Sequence, residues 1–145
     1  MKATVKWIDN AAFVGESESG HAVVMDGAQE GGGRNIGPRP MEVVLLGTGG
    51  CSAYDVVAIL KKARQQIRDC TLEIDADRAP TDPKVFTRIH MHFVIRGANI
   101  NPAHVKRAVE LSAEKYCSAS IMLGKTAEIT HDFEIVEDPD SSAPK

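Results

Sequence analysis

Two of the three cysteines have surroundings that suit thiol chemistry. Cys51 follows two glycines in the segment LLGTGGCSAYDVVAIL, and Cys117 lies in the segment EKYCSAS. A thiolate is a nucleophile that can be oxidised to a sulfenic acid, which a second thiol then converts into a disulfide. Two cysteines at the breaks or ends of two packed helices could meet. The alternative is that each is a small buried apolar side chain, as free cysteines often are.

The glycines beside Cys51 have two possible roles. Gly47, Gly49 and Gly50 each disfavour a helix interior by about 0.5–1 kcal/mol relative to alanine, so their clustering needs a reason. A local break would give Cys51 a new helix N-terminus, whose free N–H groups stabilise a thiolate. Close approach of a second backbone, as where two copies of this helix cross, would also require small residues. Both roles can hold together.

Composition and charge limit the class of protein. The 145 residues suffice for one domain, and a formal net charge of -3 offers nothing to attract phosphates, so we expect no nucleic-acid partner. The N-terminus lacks the apolar region of a signal peptide. No later segment is predicted to be long and apolar enough to cross a bilayer. We therefore expect a cytoplasmic protein. Thiols in that reducing compartment are catalytic, redox-sensing or merely buried.

The first 26 residues predict an antiparallel meander of two or three strands. Turn-forming residues separate the segments ATVKWI, AAFVGE and HAVVM, which are rich in β-branched and aromatic residues. The following segment, 27–37, holds five glycines and almost no apolar side chain. It predicts a mobile linker or lid unless something pins it.

A long helix is predicted from Pro40, since proline suits the first helical turn and Glu42 suits the positive end of the helix dipole. Its second half carries apolar residues at spacings of three and four as far as Ile67, which places that half on a core. Its first half, 41–46, has almost no polar side and must be buried all round. A chain this small can hardly surround such a helix alone, which favours a homodimer.

The remaining segments predict more strands and a second helix. These are a hairpin of strands over 71–76 and 84–97, a helix from Asn101 that ends near Cys117, and a last strand over 126–136. Alternation in the second strand predicts an inner face of Val85, Ile89, Met91, Phe93 and Ile95. Helical spacing predicts an inner stripe of Val105, Ala108, Val109, Ser112 and Tyr116. The order predicts an α+β fold with an antiparallel sheet packed on two long helices. We expect one domain over 1–136, followed by a disordered acidic tail over 137–145.

The segments GPRPMEVVLLGTGGCSAYDVV and AEKYCSAS resemble the OsmC/Ohr family, and most closely its OsmC-like, YhfA-type branch. The resemblance covers nearly the whole chain, including the order of strands and helices and the glycine-rich loop. It implies an intertwined homodimer of α+β subunits with two active sites at the subunit interface. It also implies a thiol-dependent peroxidase that reduces organic hydroperoxides and acts in oxidative stress defence.

The resemblance assigns roles to both cysteines. Cys51 would be the peroxidatic cysteine, and Cys117 would be the resolving cysteine that forms a disulfide with it. An external dithiol, from a lipoyl protein or a thioredoxin-like protein, would then reduce that disulfide. The chemistry requires no metal and no organic cofactor.

Three further residues are candidates by the same resemblance, and each departs from the family pattern. In the peroxidase branches an acidic residue directly follows the proline, whereas Met41 stands there in this chain and Glu42 comes one position later. Direct contact between Glu42 and Cys51 would require the glycine break. The family's activating arginine has no counterpart before position 34, so Arg34 and Arg39 are the nearest substitutes. An equally good interpretation is that both arginines are solvated charges on a loop.

The other polar candidates have more ordinary readings. Cys70 is interpreted as structural, at a junction between helix and strand. His90 and His92 alternate on the polar side of a strand without an evident third metal ligand, and His21 and His131 interrupt apolar strands. Asp55 shares the face of Cys51 and would disfavour a thiolate there unless an arginine offsets it.

Two other functions remain open from the sequence. The same apolar interface could hold a small lipid-like or acyl compound in a non-enzymatic binding module, in which the cysteines are incidental. Alternatively, a disulfide could change the dimer surface of a redox-responsive interaction protein without any turnover.

Overall fold

The computed structural model describes residues 1–138, so the predicted tail beyond Asp138 lies outside the described residues. The strands are β1 (Ala3–Asp9), β2 (Ala12–Ser17), β3 (Ala22–Met25), β4 (Gln66–Arg78), β5 (Phe86–Ala98) and β6 (Glu128–Glu137), and the helices are α1 (Pro40–Lys62), α2 (Pro102–Leu111) and α3 (Ser118–Leu123). This is the predicted α+β class. The chain forms two compact units, Met1–Leu46 and a second from Gly47 onward. That residues 1–136 act as one domain stays a prediction.

The first unit contains the predicted meander, in which β2 pairs antiparallel with both β1 and β3. Asp26 pins the glycine-rich segment that follows. Its carboxylate accepts hydrogen bonds from the backbone N–H groups of Gly27 and Arg34, both at 2.8 Å, and of Ile36 at 3.3 Å. These bonds, led by that from Arg34, lower the pKa of Asp26 below its ordinary value. The mobility expected of segment 27–37 stays a prediction. The bonds to Asp26 hold the backbone of this segment at three positions.

Helix α1 begins at Pro40 as predicted but ends at Lys62, earlier than the apolar spacing to Ile67 indicated. Arg64 adopts a left-handed backbone conformation with φ 56°. The N–H of Gln65 then donates to the carbonyl of Leu60 at 3.0 Å, which closes a Schellman motif. The sequence hides this end because arginine stands where glycine usually does. Ile67 and Cys70 therefore lie in β4, and Cys70 is not at a helix-to-strand junction.

The second sheet has the order β4-β5-β6. Strands β4 and β5 form the predicted antiparallel hairpin, but β6 runs parallel to β5, so the expectation of a purely antiparallel arrangement is wrong here. The chain between β5 and β6 is helical and crosses over the sheet, which is how parallel neighbours are connected. The predicted inner face of β5 is confirmed at four positions, since Ile89, Met91, Phe93 and Ile95 are fully buried. Val85, expected on the same face, precedes β5 and is 39% exposed.

Asn101 caps α2 as predicted, with its side-chain oxygen accepting the N–H of Ala103 at 2.9 Å. A wider π-helical turn, Ser112–Tyr116, follows α2 and shifts the phase of the side chains. Tyr116, expected on the inner stripe, is therefore 49% exposed, and Cys117 occupies the buried position. Cys117 then starts the short helix α3, which the sequence analysis did not predict.

The described residues of the chain cover helix α1 only in part. Leu46 is 65% exposed and Tyr54 is 75% exposed, whereas Thr48, Ser52 and Val56 are buried. By length and composition α1 also passes as a membrane span, contrary to the expectation that no such stretch exists. Apolar helices that are buried within proteins have the same composition.

Candidate functional site

The second unit brings Cys51 and Cys117 together. Their Sγ atoms and a carboxylate oxygen of Asp55 all lie within 4.8 Å of one another. Both cysteines are free thiols, Cys51 partly exposed and Cys117 fully buried. A disulfide needs Cβ atoms only about 3.5–4.5 Å apart. The two sulfurs are therefore close enough for a bond to form by small side-chain movements.

Helix geometry places two of these three groups. Cys51 and Asp55 are four residues apart on the unbroken helix α1, so they lie one turn apart on the same face. Helix α1 continues through Cys51 without the break that was one of the two explanations for the glycines, so Cys51 has no helix N-terminus of its own. Asp55, which the sequence placed on the same face as Cys51, is a member of the site.

The neighbouring glycines divide between the inside and the outside of this unit. A Cβ atom at Gly49 would lie 2.7 Å from Cδ1 of Ile74 on β4, so this glycine allows α1 to approach the sheet. Among residues 1–138, and apart from the adjoining residues of the helix itself, nothing lies within 4 Å of a Cβ built at Gly47 or Gly50. Packing of α1 on the sheet therefore explains the glycine at position 49. Gly47 and Gly50 leave room for a second molecule to contact the helix.

It is Cys117 that lies at a helix N-terminus. Its backbone is extended, with φ -73° and ψ 97°, and its Sγ atom accepts a hydrogen bond from the N–H of Ser120 at 3.4 Å. The π-helical turn positions it through a bond from its own N–H to the carbonyl of Ser112 at 2.9 Å. The segment CSAS, a short polar side chain followed by small residues, is the signal that could have indicated this cap.

Burial raises the pKa of the Cys117 thiol. The hydrogen bond from the backbone N–H of Ser120 opposes that shift, and the neighbouring Cys51 thiol adds to it. As a thiol, Cys117 points its Sγ atom at the carbonyl oxygen of Thr48, 4.0 Å away. Cys117 is therefore held mainly in the neutral form, which suits a residue that reacts second.

Two buried serines join α1 to the turn before Cys117. Ser52 and Ser112 are fully buried, and their hydroxyl oxygens are 3.2 Å apart. The hydroxyl of Ser112 also lies 3.3 Å from the carbonyl oxygen of Ser52 and 3.4 Å from Oδ2 of Asp55, and it can donate to either. Sequence reasoning placed Ser112 only on the inner stripe of a helix and missed Ser52. These contacts orient the carboxylate beside the two thiols.

Glu42 caps the start of α1. Its Oε2 accepts a hydrogen bond from the backbone N–H of Arg39 at 3.0 Å, which is half of a capping box. Because α1 is continuous, Glu42 lies about 13 Å along the axis from Cys51 and on the opposite face. The helix break that direct contact between Glu42 and Cys51 required is absent. A catalytic role for Glu42 stays a prediction.

Both candidate arginines have partners within the first unit. Arg34 forms an ion pair with Asp9. Arg39 donates from Nη1 to Oδ1 of Asn35 at 2.8 Å. A role for either arginine in activating Cys51 also stays a prediction.

The histidines of the second sheet do not join the thiols. On the polar face, Oδ1 of Asp132 lies 2.6 Å from Nδ1 of His92 and 3.1 Å from Nε2 of His90. The hydrogen bond with Asp132 raises the pKa of His92. On the other face, burial lowers the pKa of His131, whose ring stacks on Phe93. Asp132 thus links the two histidines that the sequence left without a third partner.

An open groove of about 570 Å³ lies between α2 and β6. Val109, Ala113, Ile129 and Phe133 give it apolar walls, and His131 also lines it. In the part of the chain that the structure describes, Nε2 of His131 is buried without a hydrogen-bond partner. The groove is a second place where a small molecule could lie.

Similarity to known proteins agrees with this architecture. A family model described as OsmC-like protein matches residues 31–132. Protein YhfA of Escherichia coli (strain K12) is 48% identical over 136 residues, which span 94% of this chain and 98% of that protein.

Solved structures share the fold. A hypothetical protein from Aquifex aeolicus VF5 superposes with a TM-score of 0.84 at 26% identity, covering 94% of this chain and 96% of that one. The organic hydroperoxide resistance protein OhrB of Bacillus subtilis superposes with a TM-score of 0.61 at 18% identity, covering 92% and 96%. The second likeness concerns the fold alone.

Proposed function

The chain belongs to the OsmC-like protein family, and from that membership we propose that it is a thiol-dependent peroxidase that reduces organic hydroperoxides. The observation that carries the proposal is the approach of Cys51 to Cys117 within 4.8 Å. The hydroperoxide resistance named for the Bacillus subtilis neighbour supports the same reaction class.

In the first step the Cys51 thiolate attacks the terminal oxygen of the hydroperoxide. The S–O bond forms as the O–O bond breaks, and the leaving alkoxide takes a proton and departs as an alcohol. The peroxide is reduced by two electrons, and Cys51 becomes a sulfenic acid. Cys51 is the more accessible of the two thiols, which suits the residue that meets the substrate.

In the second step the Cys117 thiolate attacks the sulfenic sulfur of Cys51. The S–S bond forms as the S–O bond breaks, and the leaving hydroxide takes up a proton and departs as water. The Cys117 thiol must first lose its proton, and the carboxylate of Asp55, within 4.8 Å, is an acceptor in the same cluster. An external dithiol then exchanges with the disulfide and returns two free thiols. We propose that the protein acts in the cytoplasm and that its reductant is a lipoyl or thioredoxin-like protein.

In this proposal the guanidinium group of Arg39 or Arg34 stabilises the Cys51 thiolate. Asp55 places a negative charge beside Cys51, which disfavours a second anion unless a positive charge offsets it. Either arginine would have to exchange its present partner, Asn35 or Asp9, for the thiolate.

We also propose that the working form is a homodimer with α1 at its interface. Gly47, Gly50 and Tyr54 share one face of α1, and all three are exposed in the single chain. A second copy that covers this face would enclose the neighbouring Cys51 in apolar surroundings. Such surroundings favour an alkyl or aryl hydroperoxide over hydrogen peroxide.

The decisive test is turnover. Purified protein supplied with dihydrolipoamide should consume cumene hydroperoxide repeatedly, and faster than hydrogen peroxide. Cys51→Ser should abolish consumption, and Cys117→Ser should stop after one turnover with a sulfenic acid that dimedone traps. Cys70→Ser is the matched control and should leave the rate unchanged. Lack of consumption by the wild type, or consumption that survives Cys51→Ser, would refute the proposal.

The groove beside His131 favours a second candidate, a non-enzymatic binding module for a small apolar ligand. Native mass spectrometry of freshly purified protein distinguishes the two functions. A bound apolar compound that His131→Leu releases, combined with no peroxide turnover, would replace the peroxidase with the binding module.

A further inference from the structure

The reactive thiols and Asp55 form a set of metal-ligating groups. Among residues 1–138, this is the one set of three His, Cys, Asp or Glu side chains whose ligand atoms all lie within 4.8 Å of one another. We propose that the reduced protein binds a thiophilic divalent cation of the Zn²⁺ class through Cys51, Cys117 and Asp55. The proposal needs the same side chains as the peroxidase but does not require any turnover.

The spacing fits tetrahedral coordination. Zn²⁺ binds thiolate sulfur at about 2.3 Å and carboxylate oxygen at about 2.0–2.2 Å, so its ligand atoms lie roughly 3.6–3.8 Å apart. Groups already within 4.8 Å reach that spacing by small rotations of their side chains. Three protein ligands leave a fourth position for water or another small donor.

Helical segments hold all three ligands. Cys51 and Asp55 are four residues apart on one face of α1, the same spacing by which two histidines of a helix bind zinc in metalloproteases. Cys117 is fully buried and is fixed between the π-helical turn and α3. Little backbone movement is therefore needed to bring all three to one ion.

Hydrogen bonds around the ligands suit a metal site. The hydroxyl of Ser112 reaches Oδ2 of Asp55 at 3.4 Å, and the N–H of Ser120 reaches Sγ of Cys117 at 3.4 Å. Such outer contacts orient the ligating atoms and support the charge of a coordinated thiolate. A divalent cation also offsets the negative charge that Asp55 adds beside the two sulfurs.

Metal binding and disulfide formation exclude each other, because each uses both sulfurs. On binding, the two thiols lose their protons to solvent and the cation takes two S–M bonds and one O–M bond. An organic hydroperoxide that oxidises the pair to a disulfide removes both sulfur ligands. The bound cation would therefore protect the reduced pair, and oxidation would release it.

The test uses the metal-free, fully reduced protein under anaerobic conditions, titrated with Co²⁺ and then with Zn²⁺. Wild type and the Cys70→Ser control should bind one Co²⁺ per chain, with thiolate-to-cobalt charge-transfer absorption and the visible bands of a tetrahedral ion. Zn²⁺ should displace the cobalt. Ser112→Ala should weaken binding by about 10-fold or more.

Cys51→Ser, Cys117→Ser and Asp55→Asn should each weaken binding further than Ser112→Ala, and the two serine variants should lose most of the charge-transfer intensity. Circular dichroism identifies any variant that fails to fold. No cobalt absorption in the wild type, or absorption that Cys51→Ser leaves intact, would overturn the proposal. Since no peroxide is present, a failed turnover assay does not decide this result.

Discussion

The fully buried hydroxyl groups of Ser52 and Ser112 lie 3.2 Å apart and connect α1 to the turn that precedes Cys117. Cys51 is next to Ser52 in the chain, and Cys117 donates its N–H to the carbonyl of Ser112. This pair of serines therefore joins the two segments that carry the thiols.

Ser112→Ala should both destabilise the protein and slow disulfide formation. The change leaves the Ser52 hydroxyl buried without its partner, which costs about 1–3 kcal/mol in the free energy of unfolding. Urea unfolding measures the first effect, and the rate of loss of free thiols after one equivalent of hydroperoxide measures the second. Ser118→Ala, at an exposed position of α3, is the control. An unchanged thiol rate in Ser112→Ala would show that the serines do not position the pair.

Cys117 should be alkylated slowly at neutral pH, because burial raises its pKa and also restricts access. The Cys51 thiol also raises the pKa of Cys117, although less than burial does. Replacing Cys51 with alanine removes that smaller effect and leaves the effect of burial. The pH midpoint for alkylation of Cys117 should therefore fall in Cys51→Ala. Mass spectrometry after iodoacetamide labelling across a pH series gives the midpoint. A midpoint that rises would contradict the assigned cause.

Glu42→Ala should lower the stability of the protein by about 1 kcal/mol, because it removes the side-chain cap on the N–H of Arg39. If capping is the whole role of Glu42, the rate of peroxide reduction should stay near that of the wild type. Thermal unfolding and the peroxidase assay are read together, with Glu42→Gln as the variant that retains an acceptor oxygen. A large loss of rate in both variants at full folding would restore Glu42 to the catalytic set.

The ion pair of His92 with Asp132 should make stability depend on pH. The pKa of Asp132 is lowered from 3.8, so its contribution is present above about pH 4 and is lost as pH falls through the folded pKa. The pKa of His92 is raised from 6.5, so its contribution is complete below about pH 6.5 and is lost as pH rises through the folded pKa. The pair therefore stabilises most between these limits.

Asp132→Asn should consequently cost more stability at about pH 5.5 than at about pH 9. Urea unfolding at both pH values gives the difference. The control is Asp77→Asn, since Asp77 is paired with Arg88, which keeps its charge throughout this range. Equal costs of Asp132→Asn at the two pH values would mean that the histidine charge does not stabilise the fold.

Gly50→Leu should shift a dimer toward monomer. A Cβ atom at Gly50 meets no packed neighbour in the described part of its own chain. A leucine there is therefore accommodated in a monomer but obstructs a second copy packed on this face of α1. Light scattering after size-exclusion chromatography measures the molar mass. Lys62→Leu, at the exposed end of α1, is the control. A wild type that stays monomeric, or a Gly50→Leu variant that dimerises as well as the wild type, would exclude this interface.

Local chemistry was sufficient to predict much of the fold. Alternation along 84–97 predicted the inner face of β5, Asn101 predicted the start of α2, and Pro40 predicted the start of α1, because each depends on residues within a few positions of one another. The motifs around Cys51 and Cys117 were sufficient to indicate the family. Both thiols could therefore be singled out without any coordinates.

Tertiary structure decided the rest. The end of α1 depends on Arg64 adopting a conformation that the residue type does not favour, and the parallel direction of β6 depends on a pairing between distant segments. The helix cap belongs to Cys117 because the π-helical turn shifts the phase of the chain after α2. Asp55 became a neighbour of both sulfurs only when α1 met that turn. Sequence specifies which side chains can react, whereas the charges and hydrogen bonds around them arise from long-range packing.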